Sequence, residues 1–208
     1  MSMTKEEEDK LVTVALNRLG MDVMSVFDLM KWKESYPAAI PVLLKHLPLV
    51  QDQGIKEGII RALTVKEARG KADAALITEF CSVPPSQTAN IGLKWAIGNA
   101  LSLVATDAVF NDLVELVQDK RHGKSREMLA VALGNMKNPA TVDVLIKLLN
   151  DDEVAGHALI ALGKLKSQKA RIHIERFLNH PKPWIRKEAM KVLKKLERLH
   201  SQKPQRTS

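Results

Sequence analysis

A pattern of apolar residues that recurs every 29 to 36 residues constrains this chain more than any other feature of its sequence. In the best copy the apolar residues stand at i, i+4, i+7, i+8 and i+11, which is the spacing of one helix face. The pattern occurs five times, with these central anchors: Leu63, Ile97, Leu133, Leu162 and Leu193. A period of this length is typical of a helix–turn–helix unit, and such units must stack to bury their apolar faces.

Each anchor lies on a predicted helix, here named the B helix, which follows a shorter amphipathic A helix and a polar break. We predict A helices over residues 38–50, 72–81, 108–117, 142–149 and 172–178, and two N-terminal helices over about 4–19 and 22–32. Asn, Asp and Pro in the breaks suit helix caps and first turns. The sequence therefore predicts an all-α fold, a right-handed α-α superhelix or solenoid of about five helix pairs with an N-terminal helical cap.

A single domain is expected over residues 1–200. Its predicted parts are a cap at about 1–36 and repeats at about 37–66, 70–103, 106–137, 139–166 and 168–199. Residues 201–208 are expected to form a disordered basic tail. The composition agrees, since 45% of the residues are apolar and only 4% aromatic, as in helices packed by aliphatic side chains.

Two B helices carry a more specific pattern. Residues 185–189 read Ile-Arg-Lys-Glu-Ala, and residues 158–163 read Ala-Leu-Ile-Ala-Leu-Gly. They match the two halves of Val-Arg-x-x-Ala-x-x-Ala-Leu-Gly and so resemble the HEAT-repeat family, in particular its short bacterial, phycobilin-lyase-type form. The resemblance covers about residues 37–198 and implies a helical solenoid. Its functional implication is broad, because such repeats serve scaffolds, enzymes and nucleic-acid binders.

The arginine of this pattern is present in only some of the repeats. Ala155 and Asn90 stand where the family prefers Arg, so any Asp–Arg bridging between neighbouring repeats is expected to be incomplete. Arg126 and Arg186 are kept, and we expect both to make structural contacts between repeats.

The sequence contains no recognisable catalytic or metal motif. HEAT-like hydroxylases of deoxyhypusine hold iron through His-Glu pairs, but none of the six His is followed by Glu, and no two stand three or four residues apart. His157 and His173 are expected to have surface or packing roles. Gly163 and Lys164 lack the spacing of a phosphate loop, and no Gly-x-Ser-x-Gly elbow occurs. We therefore expect no enzymatic activity and no cofactor, with a DNA glycosylase or lyase as less favoured alternatives.

The predicted compartment is the cytoplasm. No stretch approaches the roughly 18 apolar residues of a membrane-spanning helix, and residues 4–9 are acidic, unlike a secretory signal. Cys81 is the single cysteine, so neither an internal disulfide nor a cysteine zinc site can form. We expect Cys81 to be a small core residue.

Helical geometry predicts which B-helix residues line the concave groove of the solenoid. The first row, here named the groove row, stands two residues before each anchor: Arg61, Trp95, Val131, Ile160 and Lys191. The second, named the helix-end row, stands two residues after the anchors: Asn99, Asn135, Lys164 and Lys195. Two alternatives are that the apolar members of the groove row are buried between repeats, and that the two Asn cap helix ends.

The basic charge is confined to the C-terminal end of the chain. Residues 1–163 hold 18 basic and 21 acidic residues, a net charge of −3, whereas residues 164–208 hold 14 and 3, a net charge of +11. One face of the last predicted helix carries what we name the basic stripe: Lys187, Lys191, Lys194, Lys195 and Arg198. It is interpreted as a site for nucleic-acid phosphates, an acidic protein or an anionic membrane, or as a solvated cap.

These observations favour a non-enzymatic scaffold that holds a protein partner, as an extended or helical segment, in the concave groove. The alternative is a module that binds the nucleic-acid backbone through the basic stripe.

Overall fold

The computed structural model describes residues 3–84 and 91–201, and none of these residues lies in a β-strand. The predicted all-α class is therefore confirmed. The N-terminal region comprises α1 (Lys5–Asn17) and a 3₁₀ helix (Val26–Lys31). The A helices are α2 (Ala39–His46), α4 (Asp73–Ser82), α6 (Phe110–Gln118), α8 (Thr141–Leu148) and α10 (Arg171–Glu175), which a 3₁₀ turn extends (Arg176–Asn179). The B helices are α3 (Gln53–Ala62), α5 (Ile91–Val104), α7 (Glu127–Leu133), α9 (Ala155–Leu165) and α11 (Pro183–Ser201).

The B helices form one continuous stack. Each of α3, α5, α7 and α9 packs directly on the next B helix, whereas the A helices α4, α6, α8 and α10 pack chiefly on the B helix of their own repeat. Because the B helices approach one another more closely than the A helices do, their side is the shorter, inner side of the stack. The architecture is that of an α-helical solenoid.

Glycines set the close approach between neighbouring B helices. One residue after the anchors of α5, α7 and α9 the chain has Gly98, Gly134 and Gly163. A Cβ atom at Gly134 would lie 2.7 Å from Ala161 Cα, and one at Gly163 would lie 2.7 Å from Val192 Cγ2. A larger residue at either position would push two helices apart, so these glycines fix the spacing of the stack.

The anchors predicted from the repeat pattern lie in the core. Leu63, Ile97, Leu133 and Leu162 are fully buried, and Leu193 is almost so. Their neighbours on the same helix faces, such as Ala158 and Ala189, are also buried, as expected for a single helical stripe.

The first repeat departs from the regular pairing. The main contacts of α2 are with α1. On its N-terminal side in the stack, α3 packs on the 3₁₀ helix Val26–Lys31. The buried carboxylate of Glu8 on α1 accepts hydrogen bonds from the amides of Gln51 (2.9 Å) and Asp52 (2.7 Å), just before α3 begins. The N-terminal helices thus cover the end of the stack and satisfy the backbone there.

Arg126 connects two repeats, as predicted. Its side chain is fully buried and donates to Asp151 Oδ2 (2.7 Å) and Glu153 Oε2 (2.6 Å) of the next repeat, and to the Val117 carbonyl (3.1 Å). The bond from Arg126 is also the main reason why the pKa of Asp151 is lowered.

The prediction that Arg186 makes contacts between repeats is wrong. Its guanidinium donates to the carbonyls of His180 (2.7 Å) and Pro181 (2.9 Å), within its own repeat. Arg126 finds its carboxylates in the break that follows the next A helix, at Asp151 and Glu153. No further repeat follows α11 in the part of the chain that the structure describes, so Arg186 bonds to local carbonyls instead.

In residues 3–84 and 91–201, no helix combines the length and apolar character needed to cross a lipid bilayer.

Candidate functional site: the inner surface of the B helices

The groove row is only partly accessible. Arg61 and Lys191 are exposed at its two ends, and Trp95 is 42% exposed. Ile160 is half-buried. The row therefore presents one large aromatic residue near the N-terminal end of the stack and an aliphatic residue towards the other end.

Val131, in the centre of the groove row, is 7% exposed and does not contribute to the surface as predicted. Gly134, three residues further along α7, lies against Ala161 of α9, so the neighbouring helix comes close to this part of α7. The alternative of burial between repeats is thus correct for Val131 and wrong for Trp95. The sequence pattern alone treats these two positions as equivalent.

The helix-end row ties consecutive B helices together. Asn135 Nδ2 donates to the Ser102 carbonyl at the end of α5, Lys164 Nζ lies 3.4 Å from Asn135 Oδ1, and Lys195 Nζ donates to the Gly163 carbonyl at 2.7 Å. The last carbonyls of a helix lack partners within that helix, and a cation is favoured at this end of the helix dipole. Asn135 and Lys195 therefore satisfy carbonyls at the ends of the preceding B helices, whereas Asn99 lies next to an open depression.

This depression has a volume of about 560 Å³ and lies where the groove meets the N-terminal region. Arg61 and Asn99 line it together with two half-buried aromatic residues, Trp32 and Tyr36. The Tyr36 hydroxyl donates to the Ala62 carbonyl at 2.9 Å, which fixes the ring against the end of α3. The two aromatic residues lie in the N-terminal region, outside the repeat pattern, so an analysis of B-helix positions could not identify them.

A second aromatic group lies at the C-terminal end of the inner surface. Trp184 is 46% exposed, and its ring covers Gly156, where a Cβ atom would lie 2.0 Å from Trp184 Cη2. The ring centroids of His157 and Trp184 are 5.7 Å apart, which agrees with a packing role for His157. Burial lowers the pKa of His157.

The basic stripe lies on the exposed part of α11. All five of its residues are exposed. Lys191 pairs with Glu188 at 3.2 Å, and Lys195 caps α9. Met190 lies among the lysines and is 49% exposed.

A buried polar cluster, which the repeat pattern did not predict, lies between α4, α5 and the 3₁₀ turn (Lys120–Arg126) that precedes α7. Lys94 is 1% exposed, and its Nζ lies 2.7 Å from His122 Nδ1 and 4.6 Å from the centre of the Phe80 ring. Asp119 Oδ2 lies 3.6 Å from His122 Nε2, an arrangement that favours the proton on Nε2 and leaves Nδ1 to accept from Lys94. Burial lowers the pKa of Lys94, and burial together with the Lys94 charge lowers the pKa of His122.

A comparison of equivalent positions in the B helices does indicate this cluster. Three residues before the anchors the B helices carry Ile60, Lys94, Ala130 and Leu159, and all four are buried. A lysine among apolar equivalents marks a position with special surroundings.

The interpretation of Cys81 as a core residue is wrong, because Cys81 is exposed on α4. The preceding residue, Phe80, takes the core position, and successive residues of a helix point in directions about 100° apart. Burial raises the pKa of the Cys81 thiol. Within residues 3–84 and 91–201, no group of His, Cys, Asp and Glu residues is arranged to hold a metal ion.

The stacked helix pairs and their inner surface define an all-α repeat protein of the solenoid class. A family model, the PBS lyase HEAT-like repeat, matches residues 125–151, which contain α7, α8 and both Arg126 and its partner Asp151. The resemblance to HEAT-like repeats is thereby confirmed over this segment. A search of curated proteins finds no match to the chain.

Proposed function

We propose that this chain is a non-enzymatic, cytoplasmic scaffold that binds an extended or helical segment of a partner protein along the inner surface of its B helices. The observation that carries the proposal is the exposure of Trp95, a residue of the groove row that is 42% exposed. Aromatic side chains of this kind dominate the energy of protein interfaces, because covering them removes a large apolar area from water.

The surroundings of Trp95 support this proposal. Asn99 lies one turn further along α5, next to the depression that Arg61, Trp32 and Tyr36 also line. An Asn side chain both donates and accepts hydrogen bonds, which suits an extended peptide backbone. An exposed aromatic residue beside polar groups is the arrangement of a binding hot spot with a polar rim.

The test compares partner capture by the wild type and by Trp95→Ala from an extract of the source cell, with and without nuclease. We expect nuclease-resistant capture of a protein and, for the identified partner, a loss of about 2 kcal/mol or more, roughly 30-fold in affinity, in Trp95→Ala. Thermal unfolding of the variant should match that of the wild type, because Trp95 lies at the surface.

Ile172→Ala is the matched control, since Ile172 is 72% exposed on α10, an A helix. It should capture the partner as the wild type does. Equal capture by Trp95→Ala, or its unfolding, would contradict the groove as the binding site. Capture that nuclease abolishes would instead favour the alternative of a nucleic-acid-binding module.

A further inference from the structure

Lys187, Met190 and Lys194 form one face of α11, here named the end face. In the other B helices, the residues at the equivalent positions face the next B helix of the stack. The residues three before the anchor in the other B helices are at most 1% exposed: Ile60, Lys94, Ala130 and Leu159. Met190 holds the same position in α11 and is 49% exposed. In the part of the chain that the structure describes, no element packs on the end face.

The equivalent face of α9 shows what such a surface accepts. There Gly156 and Gly163 touch Trp184 and Val192 of α11, so the face receives the packing side of a helix. On α11 the corresponding residues are Lys187 and Lys194, whose long stems flank Met190. A shallow depression of about 640 Å³ lies over this side, lined by Lys187, Met190, Lys191, Lys194, Lys195 and Arg198.

The charge of the end face indicates which kind of surface would be complementary to it. Lys187 and Lys194 are exposed and have no ion-pair partner among the described side chains. Residues 202–208 contain two basic and no acidic side chains. A complementary surface must carry carboxylates at its edges and an apolar residue opposite Met190.

We propose that the end face binds an acidic amphipathic helix of a partner protein, on the side of α11 where the B helix of a further repeat would lie. Lys187 and Lys194 replace the glycines of α9, so this helix lies further from α11 than α11 lies from α9. This second surface is separate from the groove at Trp95. The exposed methionine favours a protein helix over nucleic acid, because binding to a phosphate backbone needs the cations and gains little from an apolar side chain at their centre.

The test uses a designed helical peptide as the probe. It copies the buried residues of α11, Ile185, Ala189, Val192 and Leu196, together with Trp184, which covers Gly156 of α9, and it carries Glu at the flanking positions. Fluorescence anisotropy at about physiological ionic strength should show saturable binding to the full chain. Lys187→Glu together with Lys194→Glu should weaken binding at least about tenfold, and Met190→Ala should weaken it about three- to tenfold.

The matched control is Lys45→Glu together with Lys147→Glu, an equal change of charge at exposed positions of α2 and α8, and it should bind like the wild type. Circular dichroism verifies that all variants are folded. Equal binding of a scrambled peptide of the same composition overturns the proposal, and so does the absence of binding. It is also overturned if a duplex oligonucleotide binds more tightly than the peptide, with a steep salt dependence and no effect of Met190→Ala.

Discussion

The buried ammonium of Lys94 is the strongest departure of a single residue from the repeat pattern. Its equivalents Ile60, Ala130 and Leu159 are apolar, whereas the close partners of Lys94 among the described residues are the neutral ring nitrogen of His122 and the face of Phe80. Removing a charge from water costs free energy that such partners offset only in part. The cluster of Lys94, His122 and Phe80 is thus expected to destabilise an otherwise apolar part of the core.

We expect Lys94→Met to raise the free energy of unfolding at pH 7 by about 1–3 kcal/mol, because an apolar side chain of similar volume replaces a desolvated amine. Urea denaturation measures the change. Ala74→Met, at an exposed position of α4, is the control and should alter stability by less than about 0.5 kcal/mol. A less stable Lys94→Met variant would show that the Lys94–His122 bond is a net stabilising contact.

The same cluster predicts a dependence of stability on pH. The pKa of His122 in the folded protein is below the usual histidine value of 6.5, so the unfolded chain binds a proton at a pH where the folded chain does not. Stability is therefore fully present above pH 6.5 and falls as the pH decreases towards the folded pKa. In Lys94→Met this loss should be smaller, because the lysine charge is one cause of the shift. A denaturation series between about pH 5 and 7.5 measures the difference.

At the level of the helices, the contact between Gly134 and Ala161 determines how closely α7 and α9 pack. Ala161 is fully buried, and its Cβ would lie 2.9 Å from a Cβ atom at Gly134. Ala161→Phe should therefore destabilise the protein by about 1–3 kcal/mol through overpacking. Thermal unfolding monitors the effect, with Ala74→Phe on the exposed side of α4 as the control. An unchanged melting temperature for Ala161→Phe would contradict the close contact of these two helices.

The polar ends of the B helices show a second property of this stack. Asn135 and Lys195 each satisfy a carbonyl of the preceding B helix, at Ser102 and Gly163. The sequence predicts the same two residues as candidates for partner binding, because a polar row along a groove is typical both of partner binding and of helix capping. Only the distance between neighbouring helices distinguishes the roles, because that distance brings the side chains within reach of the carbonyls.

Across the whole molecule, Arg126 holds the third and fourth repeats together through Asp151 and Glu153. We expect Arg126→Ala to cost about 3 kcal/mol of stability, because it removes a fully buried, four-bonded guanidinium and leaves Asp151 without its main partner. Arg186→Ala is the control, with a cost of about 1 kcal/mol, since Arg186 has only local carbonyl partners.

The loss of stability at acidic pH is a second, independent measure of the Arg126–Asp151 ion pair. The pKa of Asp151 is lowered in the folded protein, mainly by its bond to Arg126, so this contribution to stability is present above the usual pKa of Asp and is lost as the pH falls through the lowered value. In Arg126→Ala the acid-induced loss should become shallower. An identical pH dependence of stability in the wild type and in Arg126→Ala would show that the ion pair contributes little to the free energy of unfolding.

The sequence by itself determined the helical class, the stacking of repeat units and the buried anchors such as Leu133 and Leu162, because a helix that is apolar on one stripe can bury it only against another helix. It also identified Arg126 as a contact between repeats. Only the tertiary structure decided that Trp95 is exposed and Val131 covered, that Asn135 and Lys195 cap helices, and that Lys94 meets His122. Periodicity specifies the direction of a side chain from its own helix, whereas its accessibility depends on which neighbouring helices cover it, and this depends on how the helices pack.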